Sequence, residues 1–315
     1  MSAAEKIRLL VFLALLASIY IAEAFLVAAF VLGRLKNKKT RLPARWPALL
    51  VHALVTATLA CFLYGFFIEP YRLEVNTVDV PTEKLKSTTF RIVQISDLHC
   101  DRKMRNERKL VGIINSLSPD IIVFTGDALN SLAALPLLRD TLADMRASLA
   151  KVAVRGNCDL KHWAHLDLFS GTGFELLEGG TVSVTKDGET LSITGLACRH
   201  MSPFKSLLEK VPPGRVSVLF CHYSDLIESL AGLNVDLYLA GHTHGGQVAI
   251  PFYGALVTLA RSGKKYESGL YTVGDAILYV NRGIGMEGGP APRVRFLARP
   301  EIAVFDIGPA KKPAP

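Results

Sequence analysis

Two long apolar stretches dominate the first 70 residues of the chain. Leu9–Gly33 is interrupted by a single charged residue, Glu23, and Trp46–Ile68 is interrupted by His52. Each stretch exceeds the roughly 20 residues that an α-helix needs to cross the hydrocarbon core of a bilayer. The pattern therefore predicts a hairpin of two membrane-spanning helices within residues 1–72, so that the cell membrane is the first expected partner.

The segment between the two stretches, residues 34–45, contains six Lys or Arg and no acidic residue. The positive-inside rule places such a connector in the cytoplasm, and the rest of the chain then lies on the exoplasmic face. Lys6 and Arg8 favour the opposite orientation, but they are fewer. An alternative makes residues 1–24 a cleavable signal ending at Ala22–Ala24. The apolar run continues past that point, and the second stretch would still be an anchor.

After the hairpin, short apolar runs alternate with helix-like segments. The runs that end in polar motifs predict buried strands at Phe90–Ile95, Asp120–Phe124, Lys151–Val154, Val216–Phe220 and Val235–Leu239. Helices are predicted over 106–117 (with Asn106 as the N-cap), 135–150, 202–210 and 224–230. Further strands are predicted at 191–195, 247–250, 269–273, 276–280 and 301–305. The fold class is therefore α/β, with one large domain over 73–308 and a disordered Pro/Lys-rich tail at 309–315.

Each of the five polar motifs follows a predicted strand directly. They read Asp97-Leu98-His99, Gly126-Asp127, Gly156-Asn157, Cys221-His222 and Gly241-His242-Thr243-His244. Side chains in such positions meet in the crevice at the carboxyl ends of the strands. A glycine before three of these motifs allows close approach of the backbone. Two Asp, four His and one Asn form a ligand set that suits a pair of divalent metal ions.

The motifs and their order resemble those of the calcineurin-like metallophosphoesterases, whose pattern is D-x-H, G-D-x-x-[DN], G-N-H-[DE], a lone His and G-H-x-H. The resemblance covers about residues 88–306 and includes Asn130 as the last residue of the second block. The later part resembles a membrane-associated branch with G-H-T-H-G-G-Q and N/S-R-G-[IL]-G, matched by Gly241–Gln247 and Asn281–Gly285. The resemblance implies a two-sheet β-sandwich flanked by helices.

The resemblance also implies how the metals are held. Asp127 would bridge two ions, of manganese, iron or zinc, and metal-activated hydroxide would hydrolyse a phosphoester or pyrophosphate. The remaining ligands divide into two groups: Asp97, His99 and His244 for one ion, and Asn157, His222 and His242 for the other.

One position departs from the family pattern. Where the family has His in G-N-H-[DE], the chain has Cys158, followed by Asp159. The family histidine is not a metal ligand, and it is thought to stabilise the transition state or to protonate the leaving group. We count Asp127, Asn157, Cys158 and Asp159 as catalytic candidates, and His162, His165 and His200 as candidates to replace the histidine. A thiol is a poor proton donor beside metals, so the sequence predicts a preference for acidic leaving groups.

Charge and cysteine content argue against two classes of protein, nucleic-acid binders and disulfide-rich domains. Residues 1–72 contain nine Lys/Arg and three Asp/Glu, which gives a net charge of +6 out of +8 for the whole chain. The large domain is therefore nearly neutral, and we do not expect a nucleic-acid partner. The five cysteines include no C-x-x-C pair, so no disulfide framework is predicted, although Cys158 could contact a metal.

The sequence predicts a membrane-anchored phosphoesterase that acts on a lipid or another envelope-related substrate. The first alternative is a UDP-2,3-diacylglucosamine diphosphatase of lipid A synthesis, because some of these enzymes replace the same histidine with Arg. That nucleotide-sugar substrate requires a cytoplasmic active site. The second alternative is a metal-binding scaffold with impaired catalysis. Arg282 and Arg293 flank a glycine-rich segment and could bind a phosphate or headgroup, or form structural salt bridges.

Overall fold

The computed structural model describes residues 1–36, 45–198, 204–288 and 293–310. Two helices, α1 (Ala3–Leu35) and α2 (Arg45–Phe67), pack side by side and are long and apolar enough to cross a membrane. His52 Nδ1 lies 2.7 Å from Glu23 Oε2, so these two polar residues of the apolar helices contact each other. Most of the basic connector, residues 37–44, falls outside the described residues.

Two six-stranded sheets form the body of the domain. The first has the order β1-β14-β2-β3-β4-β5, and all neighbours are parallel except β14 and β2. Its strands are β1 (Glu74–Thr82), β2 (Phe90–Ile95), β3 (Ile121–Phe124), β4 (Ala150–Ala153), β5 (Glu175–Leu176) and β14 (Glu301–Pro309).

The second sheet has the order β12-β13-β9-β8-β7-β6, with a parallel centre and an antiparallel pair at each edge. Its strands are β6 (Gly180–Lys186), β7 (Glu189–Leu196), β8 (Val216–Cys221), β9 (Leu237–Ala240), β12 (Gly269–Val273) and β13 (Ala276–Val280). A short antiparallel pair, β10 (Ala249–Ile250) and β11 (Gly254–Ala255), stands apart.

The central core lies between the two sheets. Ile92 and Val123 of the first sheet share one buried cluster with Phe220 and Leu239 of the second. Helices α3 (Glu107–Ser116) and α4 (Leu135–Asp144) cover the outer face of the first sheet, and α6 (Phe204–Leu208) packs on the outer face of the second. The helix α5 (Asn157–His162) follows β4. The predicted two-sheet sandwich flanked by helices is therefore confirmed.

Several predicted elements differ at their ends. The helix predicted over 135–150 ends at Asp144, because Met145 is extended and the Leu149 amide bonds Asp120 O (2.9 Å) at the start of β4. Residues 224–230 form only a 3-10 turn, Asp225–Ser229. Asn106 does not cap α3 through its side chain, which donates instead to Pro70 O at 2.7 Å.

The carboxyl end of the domain also differs from its prediction. Pro309 belongs to β14, and the Ala310 amide donates to Thr82 O at 2.9 Å, so the strand enters the segment predicted to be a disordered tail. The rest of that tail, residues 311–315, lies outside the described residues.

Both ends of the hairpin rest on the same side of the domain. The buried Glu5 carboxylate, in the first turn of α1, accepts hydrogen bonds from the amides of Thr258 (2.9 Å) and Leu259 (3.2 Å). At the end of α2, Glu69 Oε1 accepts from the Ala298 amide at 2.6 Å. The end of α1 at Leu35 and the start of α2 at Arg45 therefore lie at the opposite end of the helix pair.

Candidate metal centre

The five polar motifs converge where the two sheets face each other. Asp97, Asp127 and Asn157 follow β2, β3 and β4 of the first sheet, and His222 and His242 follow β8 and β9 of the second. Within each sheet these strands are parallel, so their carboxyl ends lie at one edge. The structure thus brings together loops that are separated by up to 145 residues of sequence, as the bond from the His242 amide to Asp97 Oδ2 (3.1 Å) illustrates.

Glycine is required where these loops touch. A Cβ on Gly156 would overlap the Asp127 carboxylate, and a Cβ on Gly241 would overlap the side chains of Ser96 and Asp97. The close backbone approach predicted for these two positions is confirmed. It lets the ligand loops of the two sheets pack without an intervening side chain.

Five residues of the cluster hold a left-handed backbone conformation. Their φ angles lie between 41° and 74°, at Asp97, His99, Asp127, His242 and His244. For residues with a Cβ this conformation costs roughly 1–2 kcal/mol each. Backbone bonds fix it: the Asp97 amide donates to Gly126 O (2.8 Å) and the His99 amide to Asp127 O (3.1 Å). The loops therefore hold the side chains in place at a cost to stability, as is typical of functional sites.

One group of ligand atoms comes from Asp97, His99 and His244. His99 Nε2 lies 3.2 Å from His244 Nε2, which lies 3.3 Å from Asp97 Oδ1. All three residues are buried, and their ligand atoms lie within 4.8 Å of one another. This group matches one of the two predicted ligand sets.

A second group surrounds His222. Its Nε2 lies 3.0 Å from Asn157 Oδ1, 3.3 Å from Asp127 Oδ2 and 4.0 Å from Asp97 Oδ1. The His242 ring packs against the His222 ring with centroids 5.1 Å apart. Asp127 Oδ2 is also 3.7 Å from His99 Nε2, so this carboxylate lies between the two groups. Asp97 also has oxygens close to histidines of both groups, which the sequence did not predict.

Three histidines are oriented by an oxygen on the side away from the cluster. His99 Nδ1 donates to Asn130 Oδ1 (3.0 Å), His222 Nδ1 to Thr125 O (2.8 Å), and His242 Nε2 lies 3.4 Å from Leu259 O. Such a bond fixes the tautomer and leaves the other nitrogen free to bind a metal. Arg295, which is buried and lies 3.4 Å from His244 Nδ1, contacts the fourth. Sequence reasoning missed Thr125 and Leu259, because a backbone carbonyl gives no residue-type signal.

The buried ionisable groups of this pocket shift one another's pKa values. Burial raises the pKa of Asp97, whereas for Asp127 the combined effects of His222, His99 and the Cys158 amide outweigh burial and hold the pKa far below its usual value. Burial alone would lower the pKa of His222, but Asp127 and Asp97 raise it to about 10. Burial lowers the pKa of His242 to about 4 and that of His244 well below its ordinary value, so both rings are in the neutral form that binds metals.

The donor set fits divalent cations. Among the described residues no hydrogen-bond donor reaches Asp97 Oδ1, although this atom is buried beside His222 and His244. A buried carboxylate oxygen without a partner is costly unless a cation or proton satisfies it. Neutral imidazoles and carboxylates are the ligands that zinc, iron and manganese accept.

Asp159 and Cys158 have different surroundings. The fully buried Asp159 carboxylate accepts bonds from the amides of Asp127 (2.7 Å), Ala128 (2.8 Å) and Gly156 (2.9 Å), so it ties together the loops after β3 and β4. The Cys158 amide donates to Asp127 Oδ1 at 2.8 Å, while its Sγ lies 3.7 Å from Glu287 Oε1. Burial raises the pKa of the Cys158 thiol, which is therefore neutral. Sequence reasoning did not find Glu287.

The other candidates are exposed, form ion pairs or fall outside the described residues. His162 and His165 have exposed rings, and His200 is outside the described residues. Arg282 pairs with Glu74 (2.8 Å) and Glu301 (3.1 Å), which supports the structural interpretation of this residue. Arg293 pairs with Asp101 at 2.6 Å and reaches a cleft next to the cluster.

Comparison with known proteins decides the family. Residues 90–246 match the family model described as calcineurin-like phosphoesterase. The chain is 32% identical to the uncharacterized metallophosphoesterase YkuE of Bacillus subtilis over 78% of its own length and 88% of the relative. The chain belongs to the calcineurin-like phosphoesterase family. As a member it is a metal-dependent phosphoric ester hydrolase, and its cluster contains Asp/His groups that could hold metal ions.

Two further relatives have more informative names. The chain is 26% identical to the UDP-2,3-diacylglucosamine pyrophosphatase LpxG of Chlamydia muridarum, over 80% of the chain and 94% of the relative. It is 27% identical to a transmembrane protein with metallophosphoesterase domain of Danio rerio, over 79% of the chain and 60% of that protein. Together with the two apolar helices, these relatives suggest that this member of the calcineurin-like phosphoesterase family is associated with a membrane.

Proposed function

We propose that this protein is a membrane-anchored phosphoesterase that uses two divalent metal ions to hydrolyse a phosphoester or pyrophosphate of a lipid or another envelope-related compound. When bound, manganese, iron or zinc would lower the pKa of a coordinated water molecule and neutralise negative charge on phosphoryl oxygens. The observation that carries the proposal is the buried Asp97 Oδ1 without a hydrogen-bond donor among the described residues, beside the imidazoles of both ligand groups.

The chain's own residues divide the work. Asp127 lies between the two groups and would be shared by both ions. Asn157 and His222 would hold the ion nearer to Cys158. We assign Asp159 a positioning role, because its carboxylate bonds backbone amides and fixes the Asp127 loop. The neutral Cys158 thiol cannot supply a proton as readily as a cationic histidine would. The enzyme should therefore favour substrates with acidic leaving groups.

The basic lining of a cleft next to the cluster supports the proposal that the substrate is anionic. Its volume is about 580 Å³, within the usual range for ligand sites. Four basic residues line it, Arg102, Lys103, Arg105 and Arg293, against the single acid Asp101. Its lining also includes Asn130, which contacts His99, and Tyr71, just after α2. A phosphate-bearing amphiphile that leaves the bilayer at Tyr71 would meet these cations before the metal centre.

Metal removal tests the proposed function. After treatment with a chelator, the full-length protein in detergent is expected to lose at least about 10²-fold of its activity on bis-p-nitrophenyl phosphate. Manganese should restore the activity, and elemental analysis should find two ions per chain. Two bound ions without turnover, on this ester and on a panel of phosphorylated lipids, would instead favour the metal-binding scaffold.

Membrane topology separates the lipid substrate from the nucleotide sugar. Because the six basic residues of the connector favour the cytoplasm, alkaline phosphatase fused after Pro315 is expected to be active, and green fluorescent protein fused there to be dark. The opposite pair of signals would place the active site in the cytoplasm. That result would favour hydrolysis of UDP-2,3-diacylglucosamine, the substrate in the name of the Chlamydia relative.

A further inference from the structure

Four apolar side chains are exposed at the foot of the hairpin, and we call them the apolar rim: Phe252, Tyr253, Leu259 and Leu297. Phe252 is fully exposed, and the other three are 43%, 45% and 49% exposed. Phe252 and Tyr253 occupy the turn between β10 and β11, while Leu259 and Leu297 lie in neighbouring loops. Large apolar groups exposed together on a folded surface mark an interaction site more often than isolated ones do.

Three of the four exposed residues of the apolar rim have a strained backbone conformation. Phe252, Leu259 and Leu297 have φ angles of 64°, 60° and 54°. Within the described ranges they are all of the bulky apolar residues with positive φ. Glycine or asparagine would adopt this conformation more readily. These side chains are largely exposed, so apolar packing inside the protein does not offset the strain.

Three members of the apolar rim adjoin an end of the hairpin, and the fourth, Phe252, directly precedes Tyr253. The Tyr253 hydroxyl accepts from Arg8 Nη1 at 3.3 Å, and the Leu259 amide donates to Glu5 at 3.2 Å, so both touch the first turns of α1. Leu297 precedes Ala298, whose amide donates to Glu69 after α2. The ring of Phe296 also packs edge-on against Tyr64, with centroids 6.3 Å apart. The rim thus continues the surface at which the two helices leave the domain.

The same segments contact the metal centre. Leu259, whose amide bonds Glu5, directs its carbonyl to His242 Nε2 at 3.4 Å. On the α2 side, the Arg295 amide donates to Gly65 O (2.9 Å) and its guanidinium lies 3.4 Å from His244 Nδ1. Each helix is therefore separated from a predicted metal ligand by a single residue. The depth of the rim relative to a bilayer fixes the depth of the metal centre.

We propose that the apolar rim inserts into the membrane leaflet at the foot of the hairpin, and that the bilayer surface is its partner. This proposal rests on the membrane anchoring in the proposed function. Amphipathic surface elements bury apolar groups roughly 5–10 Å into the boundary between headgroups and acyl chains. Arg8 and the exposed Arg261 add positive charge that suits anionic lipids, whereas Lys264, whose Nζ lies 4.3 Å over the Tyr253 ring, is paired with Glu267 at 2.7 Å. Insertion would hold the metal centre at the level of lipid phosphates.

Quenching by brominated phospholipids tests the insertion. Full-length Phe252→Trp protein is incorporated into nanodiscs of ordinary or brominated phosphatidylglycerol, and the emission of the unsubstituted protein is subtracted. We expect bromine to remove about half of the added emission, as for a ring at the acyl boundary. The matched control is Leu149→Trp, because Leu149 is 41% exposed but precedes β4, at the opposite end of the sheet from the metal centre. Its added emission should not change.

Native tryptophan separates this proposal from the anchoring on which it depends. In a Trp163→Phe background, which removes the emission of the second native tryptophan, Trp46 in the first turn of α2 should be quenched if the hairpin spans the bilayer. Quenching of Trp46 with none at position 252 would overturn insertion of the rim while leaving the anchoring in place. Absence of quenching at both positions would overturn both.

A second variant distinguishes membrane insertion from a structural role of the same side chains. Phe252→Asn combined with Leu297→Asn should leave the melting temperature in detergent unchanged or higher, because Asn tolerates positive φ. A clear fall in the melting temperature would show that these residues stabilise the protein through internal contacts, which contradicts the proposal.

Discussion

Asp127→Asn is expected to lower kcat/KM on bis-p-nitrophenyl phosphate by about 10³-fold, which corresponds to roughly 4 kcal/mol. The amide keeps an oxygen that can accept from the Cys158 amide, so the loop should stay in place. What it loses is the anionic oxygen that lies 3.3 Å from His222 Nε2 and 3.7 Å from His99 Nε2. Since a neutral amide binds hard cations weakly, elemental analysis should find fewer than two ions per chain.

Asp306→Asn is the matched control for this experiment. Asp306, on β14, carries a partly buried carboxylate that lies away from the ligand cluster. It pairs with Arg91 at 2.8 Å. The control should keep its metal content and its kcat/KM, even if its stability falls slightly. Full activity of Asp127→Asn with two ions bound would contradict the shared role that we propose for Asp127.

Cys158→His is expected to raise the rate on esters with poor leaving groups by about 10²-fold, the lower range for general acid catalysis. The Cys158 side chain is a neutral thiol whose Sγ lies 3.7 Å from Glu287 Oε1 and 3.5 Å from Asn157 Nδ2. An imidazole at this position could be protonated beside the Glu287 carboxylate and could donate to a departing oxygen. The Cys158 amide keeps its bond to Asp127, because the change is confined to the side chain.

The dependence of rate on the leaving group is the measurement that isolates this effect. For a series of aryl and alkyl phosphodiesters, log kcat should fall steeply with leaving-group pKa in the unsubstituted protein and less steeply in Cys158→His. Cys158→Asn introduces a side chain similar in size to that of cysteine. Because an amide cannot donate a proton as an acid, this variant should keep the steep slope. Equal slopes in all three proteins would show that proton donation at this position does not limit the reaction.

The sequence could predict that the candidate ligands meet in one place because each of the five motifs follows a strand of its own. Asp97, Asp127 and His222 follow buried runs whose ends the apolar pattern marks clearly, and parallel pairing then brings those ends to one edge. The helix predicted over 135–150 was too long, because apolar spacing continues past Asp144 although the backbone there turns toward β3. Tertiary hydrogen bonds decided that boundary, and local propensity does not contain them.

The contacts between hairpin and domain could not be predicted for the same reason. Glu5 stands in a sequence context of an ordinary first helical turn, and its bonds to Thr258 and Leu259 join segments about 250 residues apart. Arg295 is fully buried and bonds mainly backbone carbonyls, such as Ala298 O at 2.8 Å, so neither charge pattern nor motif marks it. Only the assembled fold shows that Arg295 contacts His244 and that Glu5 is separated from His242 by Leu259 alone.

The bonds between Glu5 and the loop of Thr258 and Leu259 determine which form of the enzyme is suitable for assays. A water-soluble fragment that starts near residue 73 would delete Glu5 and Glu69 together, and the amides of Thr258, Leu259 and Ala298 would lose their acceptors. Each unsatisfied amide costs about 1–3 kcal/mol if it stays buried, so these loops would rearrange. Kinetic constants from such a shortened form would then describe a distorted pocket, and detergent or nanodisc preparations of the full chain are the better material for assays.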